Sequence, residues 1–366
     1  VGIIKRKTAK LLETRFLEVQ FIYAHLLTFA DAVDIINYIN TKELIMGLGL
    51  LADGRWVSER EQEDSQGKFI RPVTSFRNKI TADGSSGFKA EAGRYHLYIS
   101  WACPWAHRTA IMRKLKGLED AIGLSVVHPV IDQNSWEFSD EPGCIPDTVN
   151  GTNYLWEIYL KGDPNYEGRV TVPVLWDKQT GTIVNNESRE IIRMFDTQFQ
   201  DFAKSDLHFY PDDLHEVIEQ TIDAIYQPVN NGVYRAGFAT TQMAYEEGVT
   251  DLFNALEHWD KLLGNQRYLC GSRITEADWC MFTTLLRFDP VYYGHFKCNL
   301  RHIWDYPNLW NYLKELYQFT GVKETCNLDH IKRHYYISHN KINPTRIVPK
   351  GPIIDLESPH DRDKVG

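Results

Sequence analysis

Residues 98 to 112 read YISWACPWAHRTAIM, the end of a strand, a tight turn and the start of a helix, with Cys103 directly before Pro104. Upstream, HLYIS (96–100) is a short apolar run of strand type; downstream, residues 104–116 have helical spacing, with Ile111, Leu115 and Leu118 on one side. SVVHPVI (125–131) reads as a second strand. The three form a βαβ unit, and the handedness of such crossovers predicts a parallel pair.

A cysteine at the N-terminal edge of a helix meets unpaired backbone N–H groups and the positive end of the helix dipole, so its thiolate is expected to be stabilised. Pro104 suits the first helical turn because it lacks the N–H that would be orphaned there. His107 and Arg108, one turn on, are expected to add positive potential. Free cysteines are often inert core filler, and the strand–Cys–Pro–helix context is what argues for reactivity here. The third residue after Cys103 is Ala106, not a second cysteine. A dithiol can resolve its own mixed disulfide, whereas a single thiolate needs an external thiol, which points to glutathione as co-substrate.

Further along, VTVPVLWD (170–177) opens a strand with a proline, KQTG makes a turn, TIVNN gives a short strand and ESREIIRMFDTQF a helix. A proline at such a strand start beside an active cysteine is commonly cis, freeing the backbone of Val172 to pair with an extended peptide. Asn186, Glu187 and Ser188, at a strand-to-helix turn, are placed to hold the amino and carboxylate ends of a γ-glutamyl group. The sheet is expected to be mixed, with helices covering it.

The chain has 366 residues, 43% hydrophobic and 24% charged, enough for two domains with their own cores. A formal charge of -9 without a basic stripe argues against nucleic acid as partner. Aromatics make up 13%, many in polar surroundings, which suggests rings lining a pocket for a flat ligand, against core packing as the ordinary role of any one tryptophan. The six cysteines show no CxxC pair, so reduced thiols in an intracellular compartment are expected. His295/Cys298 and His330/His334 lack a second ligand pair at matching spacing, and no metal is expected. The apolar run at 16–39 is broken by Glu18, His25, Asp31 and Asp34, so no membrane span is expected.

The organisation follows: an N-terminal extension (1–45) without an assignable role, an irregular lead-in (46–93), a thioredoxin-like domain (94–200), a linker (201–212), an all-helical domain (213–340) and a tail (341–366). In the helical part, 214–229, 240–264 and 276–289 repeat apolar residues at three and four. Thr275 and Asp278 form a capping-box variant, a structural role for Asp278.

The segments SWACPWAHR, RVTVPVLWD, NNESREII, SWEFSDEPG, GSRITEADW and HYYISHNKINPTRIVPKGP resemble those of the glutathionyl-hydroquinone reductases, the Xi class of glutathione transferases, over about residues 46 to 360. The resemblance implies that Cys103 attacks the sulfur of a glutathionyl-hydroquinone and becomes joined to glutathione, which a second glutathione removes. It implies glutathione contacts from Trp136, Arg169, Val172, Glu187 and Ser188, with Trp136 stacking on the ligand and Arg169 pairing its glycine carboxylate. Quinol binding falls to Tyr234, Tyr292 and Tyr335, the last two standing in the doublets Tyr292/Tyr293 and Tyr335/Tyr336, so their register is open by one. A phenol O–H there can hydrogen-bond the quinol oxygen and assist its departure, a catalytic part for Tyr234 and Tyr335. A homodimer is implied too, and the cysteine usage leads to a cytoplasmic location as the expectation, with an organelle as the alternative if residues 1–45 are a targeting remnant. The competing readings are an omega-type thioltransferase or dehydroascorbate reductase, and a non-catalytic binding module on the same fold.

Overall fold

The computed structural model describes residues 49–57 and 63–365, and the 45-residue extension lies outside them. Its centre is a mixed sheet of β3 (Tyr95–Ile99), β4 (Ile122–Val126), β6 (Val174–Asp177) and β7 (Thr182–Asn185) in the order β4-β3-β6-β7. β3 pairs in parallel with β4, Tyr95 opposite Ile122, and antiparallel with β6; β7 is antiparallel to β6. Every residue of β3 and β6 is buried, as in a strand covered on both faces. Helix α1 (Pro104–Leu115) makes the crossover from β3 to β4, α2 (Leu155–Gly162) precedes β5 (Gly168–Arg169), and α3 (Ser188–Thr197) follows β7 and packs on α1.

The second strand differs from the expected 125–131: it begins at Ile122 and ends at Val126. Pro129 has no N–H to give to a ladder, and its carbonyl instead accepts from His334 Nδ1 at 2.9 Å. The lead-in also differs in part. It starts as a hairpin, β1 (Leu50–Ala52) and β2 (Arg55–Val57), whose first strand pairs with β5, Leu50 opposite Arg169. From residue 63 it runs without regular structure, and side chains from the sheet domain satisfy its backbone. Phe76 N donates to Asn186 Oδ1 at 3.1 Å, Ala82 N to Gln198 Oε1 at 3.0 Å, and the Arg77 fork grips Glu190 at 2.6 and 2.8 Å.

The helical part comprises α4 (His215–Ile225), α5 (Gly232–Gly237), α6 (Gln242–Leu263), α7 (Glu276–Arg287), α8 (Pro307–Gln318) and α9 (Leu328–Ser338). The helix expected to reach residue 229 loosens after Ile225 into a wide turn, Tyr226–Asn230, closed by Asn231 N to Tyr226 O at 2.8 Å. Pro228, which cannot donate, sits inside it. The same widening follows α7 at Phe288–Tyr292, around Pro290. α7 opens with the predicted box: Thr275 N donates to Asp278 Oδ2 at 2.7 Å, and the other oxygen accepts from Leu269 N and the Tyr312 hydroxyl. Asp278 is structural, as the sequence suggested. The tail doubles back over this part, where buried Arg362 donates to the carbonyls of Leu263 and Gln266 at 2.7 Å. Among the described residues no helix is long and apolar enough to cross a membrane.

Candidate active site

Cys103 is the N-cap of α1, in extended backbone, with Pro104 opening the helix and the Cys103 carbonyl taking the His107 N–H at 2.9 Å. Its thiol points at the Val172 carbonyl, 3.5 Å away, and the Val172–Pro173 peptide is cis. Burial pushes the thiol up from its usual range; the Ala106 and Trp105 N–H groups and the charges of Arg287 and Arg71 pull the other way without cancelling it. The helix-end field expected from the sequence is present, but the local motif carries no sign of the surroundings that partly bury the residue.

The positive potential comes from residues other than those expected. His107 is fully buried and held neutral, its pKa well below the ordinary value because of burial and the neighbouring Arg287. Arg108 turns away to Asn230 Oδ1 at 3.0 Å and the Cys280 carbonyl at 3.3 Å. Arg287, from the last turn of α7 and fully buried, donates to the carbonyls of Ala102 and Trp101, both at 2.8 Å, and so fixes the turn that leads into Cys103. It also donates to His107 Nδ1 at 3.2 Å, leaving the Nε2 hydrogen for Thr325 Oγ1 at 2.9 Å, while that hydroxyl donates to Val322 O at 2.6 Å. The sequence reading missed Arg287. An arginine between LL and F in an apolar helix was the available signal.

Three phenols face this turn. Tyr335 OH lies 2.5 Å from Tyr234 OH and 3.0 Å from Tyr292 OH. All three rings are buried, their pKa values raised by burial and, for Tyr234 and Tyr292, further by the sulfur of Cys103. Packing settles which tyrosine of each doublet joins the cluster: Tyr293 stacks on His302 at 3.5 Å between centroids, and the Tyr336 hydroxyl reaches Pro290 O. Tyr234 also touches Trp105 and Phe69, a residue of the lead-in.

The remaining predicted residues are placed as follows. Glu187 caps α3, accepting from Arg189 N at 3.3 Å and from Thr74 Oγ1 at 3.2 Å. Ser188 is buried in the first turn, its hydroxyl 3.4 Å from Arg108 Nη1. Asn186 is committed to the lead-in and to the Tyr159 hydroxyl, so it positions the turn rather than offering free polar atoms. Arg169 ends β5 half-buried with no carboxylate partner among the described residues, its pKa pushed down to about 10 by burial and then by the charge of Arg71. Trp136 departs from an open stacking platform: its ring is buried, stacked on His334 at 5.1 Å, and its Nε1 has no acceptor. The two imagined metal pairs do other work, His330 bonding Pro142 O and His295 bonding His339 Nδ1. Among the described residues no group of three or more His, Cys, Asp or Glu could hold a metal ion.

A mixed four-stranded sheet, a helical partner and a lone cysteine at the first crossover define a glutathione-transferase fold. Models for the N- and C-terminal domains of glutathione S-transferase match residues 102–198 and 242–315. The chain is 51% identical over 324 residues to the glutathionyl-hydroquinone reductase YqjG of Escherichia coli K12, covering 86% of this chain and 99% of that one. It is 47% identical to the glutathionyl-hydroquinone reductase PcpF of Sphingobium chlorophenolicum, over 83% and 96%. Among solved structures, the Xi-class transferase of Natrialba magadii superposes with a TM-score of 0.83 at 52% identity, covering 87% of this chain and 97% of that one. The glutathione-bound YqjG structure gives 0.77 at 53%, covering 79% and 96%. The chain belongs to the glutathionyl-hydroquinone reductase family, the Xi class of the glutathione transferase superfamily, and is an enzyme of that family.

Proposed function

We propose that the protein reduces glutathionyl-hydroquinones to hydroquinones with glutathione. The Cys103 thiolate attacks the glutathionyl sulfur, and the sulfur–ring-carbon bond breaks. Its electron pair stays on the carbon, which takes a proton from the phenol cluster. The products are the hydroquinone and a Cys103–glutathione disulfide. A second glutathione thiolate attacks the glutathione sulfur of that disulfide, releasing oxidised glutathione and restoring Cys103. The net change is two electrons from two sulfurs to one ring carbon.

The observation that carries this reading is the juxtaposition of one helix-capping thiol with three buried phenols linked through Tyr335, two of which feel the charge of the Cys103 sulfur. A thioltransferase needs the first but has no use for the second. Val172 offers backbone to the cysteinyl part of glutathione. Glu187 and Ser188 hold the γ-glutamyl end, Arg169 the glycine carboxylate, and Trp136 contributes its unpaired indole N–H. Tyr234 and Tyr335 assist the leaving quinol, with Tyr292 packing on it. A homodimer belongs to the same reading and rests on the family alone, and a cytoplasmic setting rests on the cysteine usage.

The test is intact-protein mass spectrometry after mixing with a glutathionyl-hydroquinone, beside Cys103→Ala, while hydroquinone release is followed. One glutathione adduct on the wild type, none on the variant, with release and clearance by glutathione, is the expected result. An adduct without release would replace this reading by the thioltransferase one, and no adduct would leave Cys103 a structural residue.

A further inference from the structure

Arg71 lies in the irregular lead-in, yet its guanidinium sits 3.9 Å from the Trp105 ring centre, 4.8 Å from that of Tyr234 and 5.2 Å from that of Phe69. Nε donates to Asn231 Oδ1 at 2.9 Å. Among the described residues the two Nη groups have neither an acceptor nor a carboxylate partner. By contrast, Arg77, Arg94, Arg189 and Arg193 each meet a carboxylate, and the buried Arg108 and Arg287 spend their N–H groups on amide and backbone carbonyls. At this site two unpaired guanidiniums, Arg71 and Arg169, lie close enough to repel each other, and the charge of Arg71 also reaches Cys103 and Tyr234.

The aromatic rings crowd the Arg71 guanidinium and Asn231 takes its Nε, leaving the two Nη groups without a protein acceptor among the described residues. The Nη pair matches the two oxygens of a carboxylate in one plane, a geometry that a lysine ammonium cannot reproduce. Its contacts with Trp105 and Tyr234 put the guanidinium on the phenol side of Cys103, where in the proposed reaction the quinol and the resolving thiol approach. Arg169, at the end of β5 beside the glutathione-binding backbone, serves a different charge.

We infer that Arg71 selects for an acidic oxygen group on the molecule that enters from the phenol side of Cys103. The inference rests on the reading of Cys103 as nucleophile. Two molecules can supply the group: a hydroquinone bearing a carboxylate, or the glutathione that resolves the mixed disulfide through one of its own carboxylates.

Arg71 is half-buried in a segment outside helix and strand, and because it lies against Trp105 and Tyr234 each arm is read as the ratio of anionic to neutral partner, which cancels any effect of Arg71→Gln or Arg71→Lys that both partners share. In the first arm, single-turnover hydroquinone release is measured with the glutathionyl conjugates of a carboxylated and of an unsubstituted benzohydroquinone. In the second, the preformed Cys103–glutathione adduct is cleared by glutathione or by the uncharged thiol 2-mercaptoethanol. The expected result is that Arg71→Gln slows the anionic partner of at least one arm about tenfold or more beyond any slowing of its neutral counterpart, with that difference partly restored in Arg71→Lys. A loss confined to the carboxylated conjugate assigns the ring substituent, and a loss confined to clearance by glutathione assigns the resolving thiol. Equal slowing of charged and neutral partners, or none in either arm, overturns the inference. A wild type that forms no adduct overturns the Cys103 reading and this one with it.

Discussion

The sulfur side of the site and its phenol side are assembled in different ways. Cys103, Glu187 and Ser188 sit where a strand gives way to a helix and Val172 where a strand is about to begin, and each is placed by its immediate neighbours: Pro104, the end of β7, Pro173. The phenol side draws Arg71 from the lead-in, Tyr234 from α5, Tyr292 from the widened turn after α7 and Tyr335 from α9. Backbone geometry makes the first side, and side-chain packing between distant segments makes the second. Two of the phenol segments follow or contain a proline-widened turn, the kind of local irregularity that accompanies functional sites in helical proteins. The first side is therefore expected to tolerate change in its surroundings better than the second.

The sharpest way to break this contrast is Tyr335→Phe, which removes the one hydroxyl that touches both others. Hydroquinone release should fall about 100-fold, while the rate at which Cys103 exchanges with oxidised glutathione stays near that of the wild type. Equal losses in both assays would mean that the two sides are one packed unit and that the phenols merely support the turn. A smaller effect is expected on the sulfur side from Arg169→Gln: the KM for glutathione should rise about tenfold with kcat held, the pattern of a lost ground-state contact. A fall in kcat instead would move Arg169 into the chemistry.

The third expectation concerns acid. Burial holds His334 at a pKa of about 4, and burial together with nearby His334 and Lys297 holds His295 at about 3; both rings pack around Tyr335. These folded-state values lie below that of the unfolded chain, near 6.5. The stability is therefore fully present above pH 6.5, and it is lost as the pH falls from there towards 4, where the unfolded chain takes up protons that the buried rings refuse. Each ring contributes a slope of about 1.4 kcal/mol per pH unit in that window. Denaturant titrations of the wild type and His334→Gln at pH 7.5, 6 and 5 should show the variant losing less stability on acidification. Identical slopes would remove His334 from the account.

What the sequence made legible follows the same division. The turn at Cys103, the strand-start proline and the Glu187–Ser188 helix start could be read because capping and turn preferences are local. The tyrosines came through a resemblance, and their register only through packing, since nothing in YYG or YYIS distinguishes the ring that meets a partner phenol from the one that stacks on His302 or bonds Pro290. Arg71 escaped because a polar, glycine-punctuated stretch gives no sign of what it will lie against, and Arg287 because the helix around it looks like core. The charge environment of Cys103 was hidden for the same reason: Arg71, Tyr234, Tyr292 and Arg287 all act on it from remote parts of the chain.

The three hydroxyls in a row, with Tyr335 between Tyr234 and Tyr292, have one further consequence. Each oxygen can hand its hydrogen to the next while receiving another from behind, so in the proposed reaction the row would work as a short relay with a reserve of its own. A hydrogen surrendered to substrate at one end would be replaced at the other, and replenishment from water would then be separated in place and in time from protonation of the ring carbon.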